Sequence, residues 1–195
     1  MKKVFFLAGL IMLVISCQQT DTPRPRGYFR IALPEKAYVD FDTLYPYSFQ
    51  YPVYSVFSPD ERETAEAFWA DILFPDFDGV IHLSYKTIGS REDLEKYLED
   101  ARTFVHRHIP KATAIYEETI VHSENNVYGM IFRIMGREAA SALQFYATDS
   151  TDHFLRGALY FHVPPNNDSL APVIGFLERD IRHLLSTLEW DASAI

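Results

Sequence analysis

The chain contains one cysteine, Cys17, whose thiol is placed for lipid attachment. It ends a Val-Ile-Ser-Cys sequence, and two aliphatic residues, a small residue and a cysteine form the lipobox pattern of bacterial precursors. In that pattern the thiol takes a diacylglycerol group, and a signal peptidase then cuts the chain before the cysteine. One acyl chain binds a membrane only marginally, whereas two or more hold a protein there stably. We therefore predict that Cys17 is the lipid-bearing first residue of the mature chain.

The residues before Cys17 are typical of a secretory signal peptide. Lys2 and Lys3 form a short basic start, and Val4–Ile15 is apolar throughout. These twelve residues are too few to span a bilayer, which takes about 20, but they suit the apolar region of a signal peptide. We predict that residues 1–16 are removed and that the protein works in an oxidising compartment without a disulfide framework.

The histidines show no spacing typical of a metal site. His106 and His108 lie two residues apart, so on a helix their side chains point about 200° from each other. His82 and His162 fall on predicted strands, where either could be a half-buried polar partner. No His-x₃-His pair is present, so we predict that the protein binds no metal and no cofactor.

Patterns that assemble a catalytic nucleophile are also missing from the sequence. There is no Gly-x-Ser-x-Gly turn and no glycine-rich phosphate loop. Several carboxylates are unpaired along the chain, and we interpret them as parts of solvated faces and turns: Asp76, Asp78, Glu117 and Glu118. We predict no catalytic residue. An envelope enzyme assembled by folding and a small-ligand or peptide-binding module stay open as alternatives.

One short segment close to the predicted anchor is both basic and aromatic. Its side chains are Arg24, Arg26, Tyr28, Phe29 and Arg30. Arginine and aromatic residues are enriched in protein interfaces, so one interpretation is a segment that docks a protein partner near the membrane. The other interpretation is a basic tether whose arginines touch lipid headgroups.

A second segment, Phe68–Tyr85, is rich in aromatic residues. One interpretation is a binding rim built on Trp69, Phe74 and Phe77. The favoured interpretation is that these side chains fill the core beneath a loop.

Charge and composition limit the class of protein. Loss of Lys2 and Lys3 takes the net charge from −9 to −11, which does not suit nucleic-acid binding. An apolar content of 48% with 15% aromatic residues predicts a packed domain rather than disorder. We assign residues 17–27 to a lipid-anchored tether and residues 28–195 to a single globular domain. No acidic cluster follows the cysteine, which favours a periplasm-facing protein on either the inner or the outer membrane.

Hydrophobic periodicity predicts the elements that position these residues. Alternation predicts a strand over Gly79–Ile88, and Ser90 then caps a helix that Pro110 ends. Four strands joined by short turns follow, so neighbours should pair antiparallel: Thr113–Val121, Val127–Met135, Ser141–Thr148 and Phe154–Val163.

A second helix is predicted to close the chain. Asp168 or Ser169 is its predicted cap, Pro172 lies in its first turn, and Glu178 and Arg182 pair on its solvent side. The fold class is therefore α+β, an antiparallel meander flanked by helices.

The region before these elements reads as short extended pieces. Gly27–Tyr54 is broken at Pro34, Pro46 and Pro52, so it should wrap the sheet rather than build its centre. Glu61–Trp69 fits either a short helix or a loop. The predicted core includes Leu98, Phe104, Phe132, Phe161, Leu177, Ile181 and Leu185.

Three stretches after the lipobox and tether carry a resemblance to a known family: PRPRGYFRIALPEKAY, YSFQYPVYS and IHLSYK. The chain resembles the gliding-motility lipoprotein GldD family of Bacteroidota over nearly its whole length. The resemblance implies a lipid-anchored cell-envelope protein needed for gliding. It also implies protein partners in the machinery that moves and secretes surface adhesins, the type IX apparatus. It transfers no catalytic residue, only the lipid-modified Cys17.

Two further implications follow from resemblance alone. Relatives of gliding proteins also occur in non-gliding cells, where they are thought to serve secretion, so membership need not mean motility. The order of strand, helix, meander and helix is similar to the PsbP/Mog1 α/β/α sandwich, whose members are binding modules rather than enzymes, although fold alone does not define function.

Overall fold

The computed structural model describes residues 31–41 and 44–191. Ala32–Ile195 forms one compact unit, and the account below concerns it. No helix among the described residues is long and apolar enough to cross a membrane. Several predictions lie outside the described residues: the signal peptide 1–16, Cys17, the tether 17–27 and the side chains Arg24, Arg26, Tyr28, Phe29 and Arg30.

Ten strands are present in the described chain. In chain order they are β1 (Tyr38–Phe41), β2 (Tyr47–Pro52), β3 (Val56–Pro59), β4 (Ala70–Phe74), β5 (Gly79–Thr87), β6 (Ala114–His122), β7 (Val127–Met135), β8 (Ser141–Thr148), β9 (His153–Phe161) and β10 (Glu189–Trp190).

Seven of these strands form the main sheet, in the order β3-β4-β5-β9-β8-β7-β6. All neighbours pair antiparallel, and the predicted meander β6–β9 is confirmed, with strand ends within two residues of the prediction. All eight residues of β8 are buried. Helices cover both faces of this strand, so its side chains are buried on both sides.

Helix α1 (Arg91–His106) begins where the sequence predicts. The hydroxyl of Ser90 accepts the backbone N–H of Asp93, and the acidic first turn suits the positive end of the helix dipole. Ala101 and Val105 are buried in a cluster with side chains of β7, β8 and β9. This apolar stripe holds α1 against one face of the sheet.

Helix α2 (Asn167–Ser186) packs on the other face, where it contacts β2 and β8. It follows Asn166, with no side-chain cap, so the prediction that Asp168 or Ser169 caps it is wrong. Pro172 consequently lies in the second turn of the helix rather than the first, where its missing N–H removes one helical hydrogen bond.

The early start of α2 has a tertiary cause. The backbone N–H of Asn167 donates to the carbonyl of Arg137, and its side-chain amide donates to the carbonyls of Gly136 and Ala139 at 2.9 and 3.0 Å. These bonds tie the helix start to the turn between β7 and β8, which local capping preferences cannot reveal.

Strands β1, β2 and β10 form a small separate sheet in the order β1-β2-β10. The prediction that the proline-rich region wraps the main sheet is confirmed, because β2 packs through Tyr47 and Phe49 on the face that α2 also covers. These rings stack 5.8 Å apart, and Tyr47 lies 5.6 Å from Tyr85 of β5. The Glu61–Trp69 region is a loop.

The largest departure from the predicted core is Phe104, which is 38% exposed. Its position fits the helical period, but α1 crosses the sheet so that this ring lies over an open cleft. Leu98 and Phe161 are half-buried. The remaining predicted core side chains are buried: Phe132, Leu177, Ile181 and Leu185.

Candidate functional site

A cleft of about 380 Å³ opens on the α1 face of the main sheet. Helix α1 contacts β8 and β9 and leaves the neighbouring face of β4 and β5 uncovered. The alternation of β5 directs every second side chain into this space. Six residues represent its floor and walls: His82, Ser84, Lys86, Arg156, Trp69 and Phe104.

A histidine–carboxylate pair lies on the cleft floor. The register of β4 and β5 places Asp71 opposite His82, and Nδ1 of the imidazole lies 2.6 Å from the carboxylate Oδ1. The prediction that His82 is a half-buried polar partner is confirmed. His162 instead follows β9 and is exposed, 3.2 Å from Asp78.

Two cations at the edge of the cleft are balanced by carboxylates. Lys86 bonds to Glu66 and lies 5.6 Å from the centre of the Trp69 ring. Arg62 bonds to Asp60 in the loop before β4. These pairs make the rim polar and nearly neutral.

Arg156 of β9 is held differently, by neutral groups. Its Nη2 donates to Oε1 of Gln144 on β8 at 2.6 Å, and its guanidinium carbon lies 4.4 Å from the centre of the Phe104 ring. Burial lowers the pKa of Arg156, and the neighbouring Tyr160 opposes that shift. The side chain stays charged at neutral pH, because an arginine pKa lies far above it.

The orientation of Gln144 is set by His108. The side-chain nitrogen of Gln144 lies 2.9 Å from Nε2 of His108. Burial lowers the pKa of His108, as does the charge of Arg156, so a neutral imidazole accepts this bond at neutral pH. The amide oxygen of Gln144 is then fixed toward Arg156, and the three residues form one chain of hydrogen bonds.

The cleft does not assemble a catalytic serine among the residues described. Ser84 lines the same floor as His82, but no hydrogen bond joins the two side chains in the described part of the chain. In residues 31–41 and 44–191, no three His, Cys, Asp or Glu side chains come close enough to hold a metal ion. The predicted lack of catalysis stays a prediction.

The carboxylates that the sequence analysis left without partners lie outside the cleft. Asp76 is exposed, and Glu118 forms a two-pronged bond with Arg182 of α2 at 2.6 and 2.7 Å. Arg182 also binds Glu178 at 2.9 Å, which confirms that predicted pair. Its assignment to the solvent side is wrong, because Glu178 is 5% exposed.

Glu178 is buried on α2 next to Arg133 of β7. Arg133 of β7 also bonds to Glu178. Burial alone would raise the pKa of Glu178, but Arg133 and Arg182 together hold it below its ordinary value. This cluster is therefore a satisfied ion network.

The aromatic segment divides between core and cleft. Phe74 is 1% exposed, and Phe77 packs on the α2 face, 5.7 Å from the ring of Phe176. Trp69 alone of the three suggested rim residues lines the cleft, where its indole N–H donates to the carbonyl of Tyr85. The favoured interpretation, core filling, therefore holds for Phe74, whereas Phe77 is half-buried.

A buried carboxylate joins the start of the domain to α2. Asp180 is 2% exposed and accepts hydrogen bonds from Lys36 at 2.6 Å, Tyr38 at 3.0 Å and Tyr54 at 2.6 Å. The Lys36 ammonium also lies 3.2 Å from the centre of the Phe176 ring. We call these residues the Asp180 clamp, defined by Asp180, Lys36, Tyr38 and Tyr54.

Sequence reasoning missed both Arg156 and the Asp180 clamp. A signal for Arg156 existed, since it is the one charged residue between Phe154 and Phe161 in an otherwise apolar strand. Asp180 sits beside the buried Ile181 on α2, and nothing near it in sequence indicates that Lys36 is its partner.

The described residues form an α+β domain, in which two helices and a small sheet pack on an antiparallel main sheet. The sequence model of a lipoprotein family, "Gliding motility lipoprotein GldD", matches residues 18–190. The chain belongs to this family, as the three conspicuous stretches of sequence predicted.

Two further comparisons bear on similarity to known proteins. No match is found among curated proteins. Among solved structures, the chain is similar to the solution structure of cyanobacterial PsbP (CyanoP) from Synechocystis sp. PCC 6803. The identity is 11% and the TM-score 0.46, over 81% of this chain and 95% of that one.

Proposed function

We propose that the protein is a non-enzymatic, lipid-anchored component of the cell envelope that supports gliding motility and the associated secretion of surface adhesins. The observation that carries this proposal is the match of the gliding-motility lipoprotein family to residues 18–190. The matched region begins directly after Cys17, where the lipobox places the start of the mature chain. The domain then faces the periplasm, held at the membrane by its acyl chains.

Replacing Cys17 with alanine is expected to abolish lipid attachment, because the thiol is the acyl acceptor. Cells grown with an alkyne-bearing fatty acid should label the wild-type protein and leave Cys17→Ala unlabelled. Ser16→Ala is the matched control, since it keeps a small residue before the cysteine and should retain the label. Label on Cys17→Ala would contradict the assignment of the anchor.

We further propose that Arg24, Arg26, Tyr28, Phe29 and Arg30 dock a protein partner near the membrane. Three positive charges and two aromatic rings there suit an interface in a chain of net charge −11 after cleavage. Arg24 follows the anchor by seven residues, so at about 3.3–3.6 Å per extended residue it lies at most about 25 Å from Cys17. A partner reached at that distance is itself in or on the membrane.

Changing Arg24, Arg26 and Arg30 together to glutamine is expected to stop gliding or adhesin secretion while the protein stays folded and membrane-bound. The docking surface then loses its charge, and the anchor is untouched. The measurement is colony spreading together with secretion of adhesins and fractionation of the variant.

The matched control removes three positive charges from an exposed face of the folded domain. Arg91, Lys96 and Arg102 on α1 are exposed, and their replacement by glutamine should leave gliding and secretion intact. A stable, anchored and fully active variant of the tether arginines would refute docking and leave those arginines as a solvated tether.

A ligand-binding module is the second candidate function, and the cleft beside α1 favours it. Its walls combine aromatic side chains with a few polar groups, which is typical of small-molecule sites. This candidate adds to an envelope role and does not exclude it.

A further inference from the structure

Arg156 is a half-buried cation whose charge no carboxylate of the described chain balances. Within residues 31–41 and 44–191, no carboxylate oxygen lies within 4.0 Å of its guanidinium. A desolvated charge without a counter-ion is costly, so this position favours an anion from outside. The other half-buried cations of the described residues each have a carboxylate partner: Lys36 with Asp180, Lys86 with Glu66, and Arg182 with Glu118 and Glu178.

The guanidinium is also held in place before any ligand arrives. Gln144 is 1% exposed and takes one of its N–H groups, the Tyr160 hydroxyl lies within reach of the guanidinium, and the Phe104 ring covers one face. These contacts are neutral, so they orient the group without cancelling its charge. A guanidinium has five N–H donors, and the fork that remains matches the geometry of a carboxylate.

We propose that this cleft binds a ligand bearing a carboxylate group. Arg156 holds the carboxylate, and the apolar part of the ligand lies against Phe104 and the neighbouring aromatic side chains of the cleft. The proposal concerns the cleft alone and does not rest on the role in gliding.

The charges around the cleft select a monoanion. Asp100 lines the cleft, and Asp71 lies beside His82 on the floor. These carboxylates disfavour a second negative charge on the ligand. A phosphate monoester carries a charge of about −1.5 to −2 at neutral pH, so a carboxylate fits one unbalanced arginine better.

The size of the cleft suits one bulky group with its carboxylate. A volume of about 380 Å³ lies at the small end of ligand sites. The carboxylate could belong to a small aromatic acid or to the C-terminal residue of a peptide, since the arginine binds the same group in both.

Binding can be measured by tryptophan fluorescence of the mature chain, because Trp69 lines the cleft. The probes are N-acetylphenylalanine, its amide and phenyl phosphate. We expect saturable binding of the acid, with the amide and the phosphate at least tenfold weaker. The tripeptide Ala-Ala-Phe and phenylacetate then distinguish a peptide end from a small acid, whichever binds more tightly.

Arg156→Gln is expected to weaken binding of N-acetylphenylalanine at least tenfold, and Arg156→Lys less, because lysine keeps the charge but loses the fork. Arg102→Gln is the matched control, since Arg102 is an exposed arginine of α1. Thermal melting checks that each variant folds. Should Arg156→Gln fail to fold, Phe104→Ala decides, because the ring is 38% exposed and its loss should weaken binding at least threefold.

Three results would overturn the carboxylate site. The first is binding of the amide or the phosphate as tight as that of the acid, and the second is wild-type affinity in the variant that tests the site, Arg156→Gln or Phe104→Ala. The third is no saturable binding of any carboxylate up to about 10 mM, a concentration above the millimolar Kd expected of a fragment-sized ligand. Each of these outcomes leaves the proposed role in gliding unaffected, because the assay reads ligand binding only.

Discussion

Replacing Asp180 with alanine is expected to lower the free energy of unfolding by about 3–5 kcal/mol. The carboxylate is 2% exposed and accepts from the Lys36 ammonium and from the hydroxyls of Tyr38 and Tyr54. Alanine would leave one desolvated charge and two phenols without their acceptor, and each of these groups carries its own desolvation cost. Urea denaturation of the mature chain at pH 7 measures the change.

A matched control separates the loss of the Asp180 clamp from the general effect of removing an acidic side chain. Glu99 is an exposed acidic residue on α1, and Glu99→Ala should change stability by no more than about 0.5 kcal/mol. In the Asp180→Ala background, Lys36→Met should recover part of the loss, because it removes the orphaned charge. A loss below about 1 kcal/mol for Asp180→Ala would show that the clamp contributes little.

Raising the pH from 10 to 12 is expected to remove about 4–6 kcal/mol of stability through Tyr38, Tyr47 and Tyr54. Burial raises the pKa of Tyr47. The pKa of Tyr54 is raised by burial and, to a smaller extent, by the hydrogen bond to Asp180. The pKa of Tyr38 is raised to about 12 by burial and, to a smaller extent, by the charge of Asp180.

The direction follows from proton linkage. Tyrosines of the unfolded chain ionise near pH 10, while Tyr38, Tyr47 and Tyr54 of the folded chain keep their protons to higher pH. Their contribution is therefore complete below pH 10 and is lost as the pH rises toward the folded-state pKa, at about 1.4 kcal/mol per pH unit for each retained proton. Burial lowers the pKa of Lys36, and this shift changes stability in the opposite direction. It concerns one group, whereas the pKa is raised for three tyrosines.

Denaturation curves at several pH values between 9 and 12 test this expectation. Tyr47 is fully buried, and Tyr47→Phe should make the fall in stability shallower by about 1.4 kcal/mol per pH unit, one proton's share. Tyr116 is 62% exposed, so Tyr116→Phe serves as the matched control and should leave the slope unchanged. Equal slopes for the wild type and Tyr47→Phe would contradict the argument.

The secondary structure was largely predictable because its signals are local. Ser90 caps α1 as predicted, and the short turns between β6 and β9 determine antiparallel pairing. The start of α2 was not predictable in this way, because the bonds from Asn167 to the turn between β7 and β8 override local capping preference. Periodicity also placed Phe104 on the buried stripe, but it cannot tell how far a helix extends over its sheet.

The candidate cleft was only partly predictable. His82 was identified as a half-buried polar partner, and its partner Asp71 follows from the register of β4 on β5. The sequence did not reveal the importance of Arg156, because that importance depends on the lack of a nearby carboxylate among the described residues. That depends on where Gln144, Phe104 and every nearby carboxylate come to lie.

Sequence alone determined the predicted anchor at Cys17, the α+β class and the family, because each depends on residue types at short or fixed spacing. Tertiary structure alone decided which charges are balanced. Lys36 and Asp180 are 144 residues apart in the chain yet 2.6 Å apart in space, whereas Arg156 has no such partner among the described residues. Coulomb and desolvation energies depend on distance and burial rather than on sequence separation, so the clamp and the cleft become visible only in the folded domain.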